Sequence, residues 1–345
     1  MNPQNKLTGK KILFLSVQTF NLENEIKSKL EQLGAIVTYY DERPANNNLI
    51  KGLLRLKKSL LQNRVDEYYS QILSETSQIN FDYVFVNRGE IVPEFFLEQL
   101  KTMQKDCKFI FYTWDSFSNH AHPVKILKYF DRKFTFDSND ALKYNLNFRP
   151  LFFLDSFQTI KKDSSKIRYN LLFLGTAHSD RYRISNEIVN WCITNKLASF
   201  CYYFMHGRLV YLFKKFFDKS FKEFDYNKLS FKSLTVDQIA DLYSKSDVIL
   251  DINHPGQNGL TMRTFESIGA RKKLITTNAE VKKYCFYNPN NILVIDRNNL
   301  VIDRSIFDSN YEEIDDVLYN KLTLEGWIKS IFFDEETNFW IPSLT

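Results

Sequence analysis

The chain has 345 residues, more than a usual single domain, and this length fits two domains of about 150 to 170 residues each. The net charge of +5, with 41 acidic residues among 46 basic ones, is too dilute for a nucleic-acid-binding surface, so no nucleic-acid partner is expected. The four cysteines form no Cys-x-x-Cys pair and no run approaches about 18 apolar residues, which argues against a disulfide scaffold, a zinc ribbon and a membrane-spanning helix and favours a cytoplasmic protein.

Strand and helix patterns alternate through the first half of the chain. Runs typical of buried strands lie at 11–17, 35–40, 81–87, 108–114, 133–137 and 149–154. Helical patterns lie at 21–33, where Gly34 is the predicted stop, at 48–75 and at 93–104. Because strands that alternate with helices form parallel sheets, residues 1–158 are predicted to be one Rossmann-like domain.

The same alternation restarts after a polar, lysine-rich stretch at 155–166, which is predicted to be a linker. Strands are expected at 169–175, 198–205, 248–252, 273–277 and 291–295. Helices are expected after Arg181 as far as 195, at 236–246, after Thr261, and near 311–321 and 322–333. We therefore predict an α/β fold of two doubly wound Rossmann-like domains facing each other across a cleft, with the second domain at 169–321.

The most informative stretch is 247–278, where a predicted strand leads through a glycine-bearing loop into a helix. Thr261 can cap that helix, whose first turn offers N–H groups and partial positive charge to an anion. Arg263 adds a full positive charge, and Glu266, about one turn further, can accept hydrogen bonds from sugar hydroxyls. The stretch predicts a site for a phosphorylated sugar or nucleotide. The structural alternative is a plain turn with a solvated glutamate.

Residues 259–266, Gly-Leu-Thr-Met-Arg-Thr-Phe-Glu, resemble the Gly-Leu-x-Met-Arg-x-Phe-Glu signature of the CgeB-like branch of bacterial GT-B glycosyltransferases. The resemblance implies a nucleotide-sugar site in which Glu266 holds the donor ribose. It also implies that residues 322–345 contain a last helix that crosses back to the first domain. Related retaining enzymes carry a Glu-x7-Glu pair, and Asn258 stands where the first glutamate of that pair would be. A retaining mechanism is therefore not implied.

Two other loops at the ends of predicted strands are assigned to the donor. The loop at 175–181 resembles the donor-phosphate loop of GT-B enzymes and lacks the Gly-Lys-Ser/Thr ending of a P-loop. Residues 231–235 occupy the position where those enzymes contact the nucleobase. The predicted donor-binding residues are Gly175, Thr176, His178, Arg181, Leu234, His254, Asn258, Gly259, Leu260, Thr261, Arg263 and Glu266.

The first half offers two candidates for a general base, each at the end of a predicted strand. Asp115 follows Trp114 and precedes Phe117 by two positions, so we expect its carboxylate to be partly desolvated, as suits a base. Glu90, at the neighbouring strand end, is the competing candidate. Either carboxylate can instead cap a helix or pair with a nearby cation.

No metal ion or other cofactor is expected. The histidines at 120, 122, 178, 206 and 254 never show the paired spacing of a zinc helix, and no Asp-x-Asp motif follows a suitable strand. We therefore expect the leaving diphosphate to be stabilised by helix N–H groups, by Arg263 and by Arg181.

Two basic segments, 51–64 and 208–222, carry apolar residues at helical spacing. In the first segment these are Leu53, Leu56, Leu60 and Leu61, and in the second they are Leu209, Phe213, Phe216, Phe217 and Phe221. The favoured interpretation is an amphipathic helix packed on its own domain. The alternative is attachment to an anionic membrane surface, which would bring the protein to a lipid-linked acceptor.

The sequence thus predicts a cytoplasmic bacterial glycosyltransferase, free or at the inner face of the plasma membrane. It would move a sugar from a nucleotide-sugar donor to a cell-surface glycan acceptor such as capsule or lipopolysaccharide, without a metal. Alternatives are a non-catalytic nucleotide-sugar or glycan-binding module on the same fold, and a GT-B-fold sugar epimerase.

Overall fold

The computed structural model describes residues 6–44, 62–161, 164–218, 221, 224–256, 258–333 and 339–341. These residues divide into two compact units. The first unit holds the described residues up to Pro150 together with 327–333, and the second holds those at 151–326 and 339–341.

The first unit contains a six-stranded sheet in which all neighbouring strands are parallel, in the order β2-β1-β3-β4-β5-β6. The strands are β1 Lys11–Ser16, β2 Ile36–Asp41, β3 Tyr83–Asn87, β4 Lys108–Thr113, β5 Arg132–Thr135 and β6 Asn147–Phe148. The helices described here are Leu22–Gln32, Gln62–Thr76, Glu94–Met103, Pro123–Ile126 and Ser138–Tyr144.

Aromatic side chains fill the core of the first unit. The rings of Phe14 and Phe85, on adjacent strands, stack with centroids 5.0 Å apart. Phe85 also packs edge-on against Phe332, at 5.6 Å, and Trp327 is fully buried. Both of these residues lie on the helix Leu324–Phe333, whose apolar face is thereby covered by the sheet.

The second unit repeats the plan with a parallel sheet in the order β12-β11-β10-β7-β8-β9. The strands are β7 Tyr169–Thr176, β8 Ser199–Phe204, β9 Leu229–Ser230, β10 Ser246–Asp251, β11 Lys273–Thr276 and β12 Ile292–Val294. The described helices are Asp155–Gln158, Arg181–Thr194, Arg208–Phe217, Val236–Ser244, Met262–Gly269, Ser305–Asp308 and Asp316–Lys321. The predicted α/β class and the two Rossmann-like sheets are confirmed.

Two predicted elements differ in the structure. Residues 149–154 do not form a sheet strand; instead Phe153 pairs in an isolated bridge with Thr323. Pro150 has no N–H to donate to a ladder, so the strand ends at Phe148. The predicted linker contains the short helix Asp155–Gln158.

The predicted helix at 48–75 is observed as Gln62–Thr76, and the positions from 48 to 61 lie outside the described residues.

The interpretation that the apolar face at 208–222 packs on its own domain is wrong for the helix Arg208–Phe217. Leu209, Phe216 and Phe217 are 82%, 79% and 76% exposed. Tyr211, on the opposite side, is the buried residue of this helix. Residues 51–61 of the other basic segment lie outside the described part of the chain. No helix in the described residues is both long and apolar enough to cross a membrane.

Candidate functional site

The loops at the carboxyl ends of β7, β10 and β11 in the second unit are tied together by one arginine. Arg297 Nη1 donates to both carboxylate oxygens of Asp180, at 2.7 and 2.8 Å. Its Nη2 donates to the backbone and side-chain oxygens of Asn253, at 2.9 and 2.8 Å, and lies 3.3 Å from Thr277 Oγ1. Because the carboxyl ends of parallel strands lie at one edge of the sheet, these hydrogen bonds hold together the three loops that form the candidate site.

Thr261 precedes the helix Met262–Gly269 but does not cap it with its side chain. Its hydroxyl donates instead to Oδ2 of Asp251, at 2.9 Å, because that fully buried carboxylate lies just below the loop. The predicted side-chain cap is therefore wrong. The consequence is that the threonine leaves the first N–H groups of the helix, and the positive end of its dipole, to a ligand.

Arg263, in the first turn of this helix, is not tightly paired. Its Nη1 lies 3.8 Å from Asp251 Oδ1, beyond hydrogen-bond distance. The buried Nε of Arg263 and the buried Oδ1 of Asp251 each make no hydrogen bond. Buried polar atoms without partners are rare in native proteins, so the Nε–H of Arg263 is a spare donor for an anionic ligand.

Arg181 lies buried beside the same edge of the sheet. Its Nε donates to the carbonyl of Ile252, at 2.8 Å, and its Nη1 to that of Thr176, at 3.2 Å. Burial, together with the positive charge of Arg263, lowers the pKa of Arg181 to about 9. Arg181, predicted to bind phosphate, thus connects the ends of β7 and β10 through hydrogen bonds. Its charge also adds positive potential there.

His178 and His254 face each other with ring centroids 5.6 Å apart. The pKa of His178 is lowered to about 3, chiefly by burial and then by the positive field of Arg181, His254, Lys214 and Arg263. His178 is therefore neutral at physiological pH and reports a positive potential at this spot. His254 is exposed, and its Nδ1 accepts from the backbone N–H of Gly256 at 3.2 Å.

Glu266 lies one turn into the helix and is half-buried. Its Oε2 accepts a hydrogen bond from the hydroxyl of the fully buried Tyr243, at 3.1 Å. Burial raises the pKa of Glu266, and the raising outweighs the opposite effects of Arg263 and of the Tyr243 hydroxyl. Tyr243 orients the carboxylate, and Oε1 remains available to a ligand hydroxyl.

The remaining predicted donor residues have varied surroundings. Asn258 has an exposed side chain, and its backbone carbonyl accepts from Asn278 Nδ2 at 3.1 Å, which anchors the loop. A side chain at Gly175 would come within 2.7 Å of the Phe173 ring, so packing alone requires glycine there. Gly259 and Leu260 are buried, and Leu234 is half-buried. The backbone carbonyl of Thr176 accepts a hydrogen bond from Arg181.

A second polar cluster lies at the strand ends of the first unit, and there the charges are closely paired. Arg43 Nη2 lies 2.5 Å from Glu90 Oε2, and Arg88 Nε lies 2.8 Å from Asp115 Oδ2. The Arg88 Nε–H does not point at that oxygen, so the contact is an ion pair without a hydrogen bond. Burial would raise the pKa of Glu90, but Arg88 and Arg43 outweigh it and lower that pKa.

Glu42 holds the backbone of this cluster in place through two hydrogen bonds. It is fully buried, and its two oxygens accept the backbone N–H groups of Gly89 and Glu90, at 2.8 and 2.6 Å. Arg88 and Gly89 have φ of +100° and +68°, a turn that these two hydrogen bonds stabilise. Burial raises the pKa of Glu42 to about 8, against the lowering effect of the two backbone bonds.

Within the parts of the chain that the structure describes, no group of three or more histidine, cysteine or acidic side chains is arranged to hold a metal ion.

No protein-family model matches the chain, and no curated protein matches it either. Solved structures do. A glycosyltransferase from Rickettsia africae is 14% identical with a TM-score of 0.50, over 94% of this chain and 89% of that one. HepE from Anabaena, in complex with UDP and glucose, is 11% identical with a TM-score of 0.51, over 96% and 92%. A Listeria monocytogenes structure named as a UDP-N-acetylglucosamine 2-epimerase is 11% identical with a TM-score of 0.50, over 96% and 98%.

The chain has the GT-B fold. At these identities the likeness establishes the architecture and leaves the activity open. It does not distinguish the CgeB-like branch from other proteins with the GT-B fold.

Three residues of this GT-B domain escaped the sequence-based prediction. Asp251 is the last residue of β10 and Arg297 follows the predicted strand at 291–295, so the expectation that ligands bind at the carboxyl ends of parallel strands contained a signal for both positions. Tyr243 carried none, because its pairing with Glu266 joins two helices and depends on their packing.

Proposed function

We propose that this protein is a glycosyltransferase that moves a sugar from a nucleotide-sugar donor to a glycan acceptor. The observation that carries the proposal is the set of groups around the helix Met262–Gly269. Its first turn presents Arg263, whose Nε is unpaired, and one turn further the carboxylate of Glu266 is oriented by Tyr243. Cation and carboxylate at that spacing suit a diphosphate joined to a ribose.

The chemistry of transfer assigns a role to each group. When the bond between the sugar and the diphosphate breaks, negative charge develops on the leaving oxygens. Helix N–H groups and Arg263 stabilise that charge, and Arg181 adds positive potential. Glu266 Oε1 accepts a hydrogen bond from a ribose hydroxyl. These groups supply the positive charge that a metal ion provides in other transferases, so we propose a metal-independent reaction.

We further propose that the acceptor is a bacterial cell-surface glycan and that the protein acts in the cytoplasm. The support is the Gly-Leu-x-Met-Arg-x-Phe-Glu signature at 259–266, which resembles the CgeB-like branch. HepE, whose structure holds UDP and glucose, shares the fold and so offers a first donor to test.

For an inverting enzyme, we propose Asp115 as the base that takes the acceptor proton. Its side chain is 30% exposed and so can be reached by an acceptor hydroxyl, and Arg88 Nε lies 2.8 Å from its Oδ2. Glu90 is the weaker candidate, because its carboxylate lies against both Arg43 and Arg88.

The test is a thermal-shift screen of the purified protein with UDP, GDP, ADP and CMP, followed by assay of the matching nucleotide sugar. A ligand at a hundredfold excess over its Kd stabilises the folded state by about 2.7 kcal/mol. We expect one nucleotide diphosphate to raise the melting temperature, with EDTA and without it. No shift with any nucleotide, or a reaction abolished by EDTA and restored by magnesium, would contradict the proposal.

An epimerase is the second candidate, because the fold is shared equally with the protein named as a UDP-N-acetylglucosamine 2-epimerase. Incubation with a nucleotide sugar and no acceptor separates the two. An epimerase converts the sugar, whereas a transferase leaves it intact or slowly hydrolyses it. A protein that binds the nucleotide sugar and does neither, with any glycan acceptor, would be the non-catalytic module that Asn258 makes conceivable.

A further inference from the structure

The helix Arg208–Phe217 presents an apolar stripe to solvent. Five side chains form it at successive helical spacings of three and one residues, and they are 47% to 82% exposed: Leu209, Leu212, Phe213, Phe216 and Phe217. With about 100° between successive residues, they cover an arc of roughly 140° of the helix surface. A contiguous exposed patch of this kind marks an interaction surface.

The orientation of the helix is set by its opposite face. Tyr211 is 3% exposed, and its ring packs against that of Tyr226 with centroids 5.1 Å apart. The fully buried Phe221 also contacts Tyr211, at 6.5 Å. Because Tyr211 holds the helix to its unit, the stripe on the other side stays outside the core.

Basic side chains border the stripe. Arg208, Lys214 and Lys215 lie on the flanks, between the apolar arc and Tyr211, and the sequence of the helix contains no acidic residue. Lys215 Nζ lies 5.7 Å above the Tyr211 ring and Lys214 Nζ lies 4.9 Å above the Phe221 ring, so both ammonium groups sit beside the helix rather than across its apolar face. An apolar stripe bordered by cations is the pattern of a helix that lies in a membrane interface.

We propose that the helix Arg208–Phe217 binds the protein to an anionic membrane surface, with the phenylalanines in the acyl boundary and the three cations among phosphate headgroups. Charge decides between this occupant and a second copy of the chain. Two copies packed stripe to stripe would bring two sets of like charges together with no acidic partner on either helix, whereas anionic lipids neutralise them. The surface goes beyond the proposed transfer reaction and does not depend on it.

The proposal is tested by co-sedimentation of the full chain with vesicles of phosphatidylcholine, with and without phosphatidylglycerol. We expect binding to the anionic vesicles, weakened by salt, and little binding to the neutral ones. The variant Phe213→Ser/Phe216→Ser should bind at least about tenfold more weakly, because it removes two of the five inserted side chains. The variant Lys214→Gln/Lys215→Gln should bind anionic vesicles about 25-fold more weakly, since it removes two charges and each charge near the surface is worth roughly fivefold.

A matched control replaces exposed apolar residues on other helices. Ile193 and Val317 are 66% and 65% exposed, and Ile193→Ser/Val317→Ser should bind vesicles as the natural protein does. All substituted side chains except the half-buried Lys214 are largely exposed, so unchanged melting temperatures are expected to show that the variants fold.

Three results would overturn the proposal. The first is no binding of the natural protein to anionic vesicles. The second is binding that the phenylalanine pair does not affect. The third is a dimer in solution that Phe213→Ser/Phe216→Ser converts to a monomer, which would assign the stripe to a second copy. Nucleotide binding, measured on the natural protein and on Phe213→Ser/Phe216→Ser, reports separately on the proposed transferase function; Lys214→Gln/Lys215→Gln is left out of this comparison because Lys214 contributes to the positive potential at His178.

Discussion

The two polar clusters at the strand ends differ in how their charges are paired. In the first unit, Arg43 lies against Glu90 and Arg88 against Asp115, at 2.5 and 2.8 Å. In the second unit, the nearest contact of Arg263 with a carboxylate is 3.8 Å, to Asp251. Both clusters are built from the same residue types on the same kind of sheet edge, so composition alone does not separate their roles.

The difference between the two clusters also shows in the pKa values of their side chains. The pKa of His178 is lowered by burial and by four neighbouring basic side chains. The pKa of Glu90 is held down by two arginines that lie in contact with it. In the second unit Arg263 keeps an Nε–H without a hydrogen-bond partner, which suits an anionic ligand, whereas Arg43 and Arg88 in the first unit lie in close contact with carboxylates.

The largest effect that would sharpen this contrast is on turnover. If the enzyme inverts, Asp115→Asn keeps the shape of the side chain but removes the base, and turnover should fall by about 10² to 10⁴ with donor affinity nearly unchanged. Steady-state kinetics and the anomeric configuration of the product, by NMR, give the answer. An inverted product formed at full rate would move the assignment to Glu90, and a retained product would remove the need for a base.

The next largest effect is on donor binding. Arg263→Ala removes the cation with an unpaired Nε, and a charge-assisted hydrogen bond is worth about 1.5 to 3 kcal/mol. The Kd of the nucleotide diphosphate should therefore rise about tenfold to more than a hundredfold in a calorimetric titration. Arg271→Ala, which breaks an exposed ion pair with Glu313, is the matched control and should bind normally. Equal affinities of the two variants would remove Arg263 from the site.

A smaller effect, on stability, tests the internal pairing in the first unit. In Glu42→Gln the amide nitrogen cannot accept, so the N–H of Gly89 or Glu90 loses its partner, at a cost of about 1 to 3 kcal/mol in the free energy of unfolding. The folded-state pKa of Glu42 is raised to about 8, so its contribution to stability is full below the unfolded-state pKa and is lost as pH rises through 8. In urea unfolding, the difference in the free energy of unfolding between the natural protein and Glu42→Gln should therefore become smaller from pH 5 to pH 8. A difference that becomes larger would contradict the account.

The smallest effect concerns His178. Its folded-state pKa is lowered to about 3, so the stability that it contributes is present above its unfolded-state value and is lost as pH falls toward 3. Bound diphosphate should raise this pKa, and donor affinity should then increase as pH falls, by at most about tenfold per pH unit. Calorimetry in buffers of different ionisation enthalpy measures the proton uptake, which His178→Gln should abolish. Uptake that persists in the variant would place the proton elsewhere.

Sequence periodicity was sufficient for most of the fold. The alternation of buried strands and amphipathic helices is local, and Gly34, with φ of +92°, ends the first helix as predicted. It failed at 149–154, where burial and apolar character do not distinguish a sheet strand from a buried extended segment. It also failed at Arg208–Phe217, since spacing identifies an apolar face but does not identify what covers that face.

The candidate site was predictable at the level of loops and not at the level of contacts. The pattern of strand, glycine-bearing loop and helix at 247–278 predicted that Arg263 and Glu266 lie on a helix, and the structure places both on the helix Met262–Gly269. The predicted side-chain cap by Thr261 was wrong because its hydroxyl donates to the carboxylate of Asp251 instead. Which of the two contacts forms depends on where the fold buries Asp251. Arg297 and Tyr243 act through contacts between segments far apart in sequence, which no local pattern encodes.

The most direct test of the central claim, that the second cluster holds a nucleotide sugar, is a calorimetric comparison of Glu266→Ala and Asp115→Asn. Each removes one carboxylate of a polar cluster, Glu266 in the second unit and Asp115 in the first. Loss of the hydrogen bond to the ribose should weaken binding of the donor nucleotide about tenfold or more in Glu266→Ala, and Asp115→Asn should bind it as the natural protein does. Unchanged affinity in folded Glu266→Ala, or an equal loss in both variants, would contradict the account.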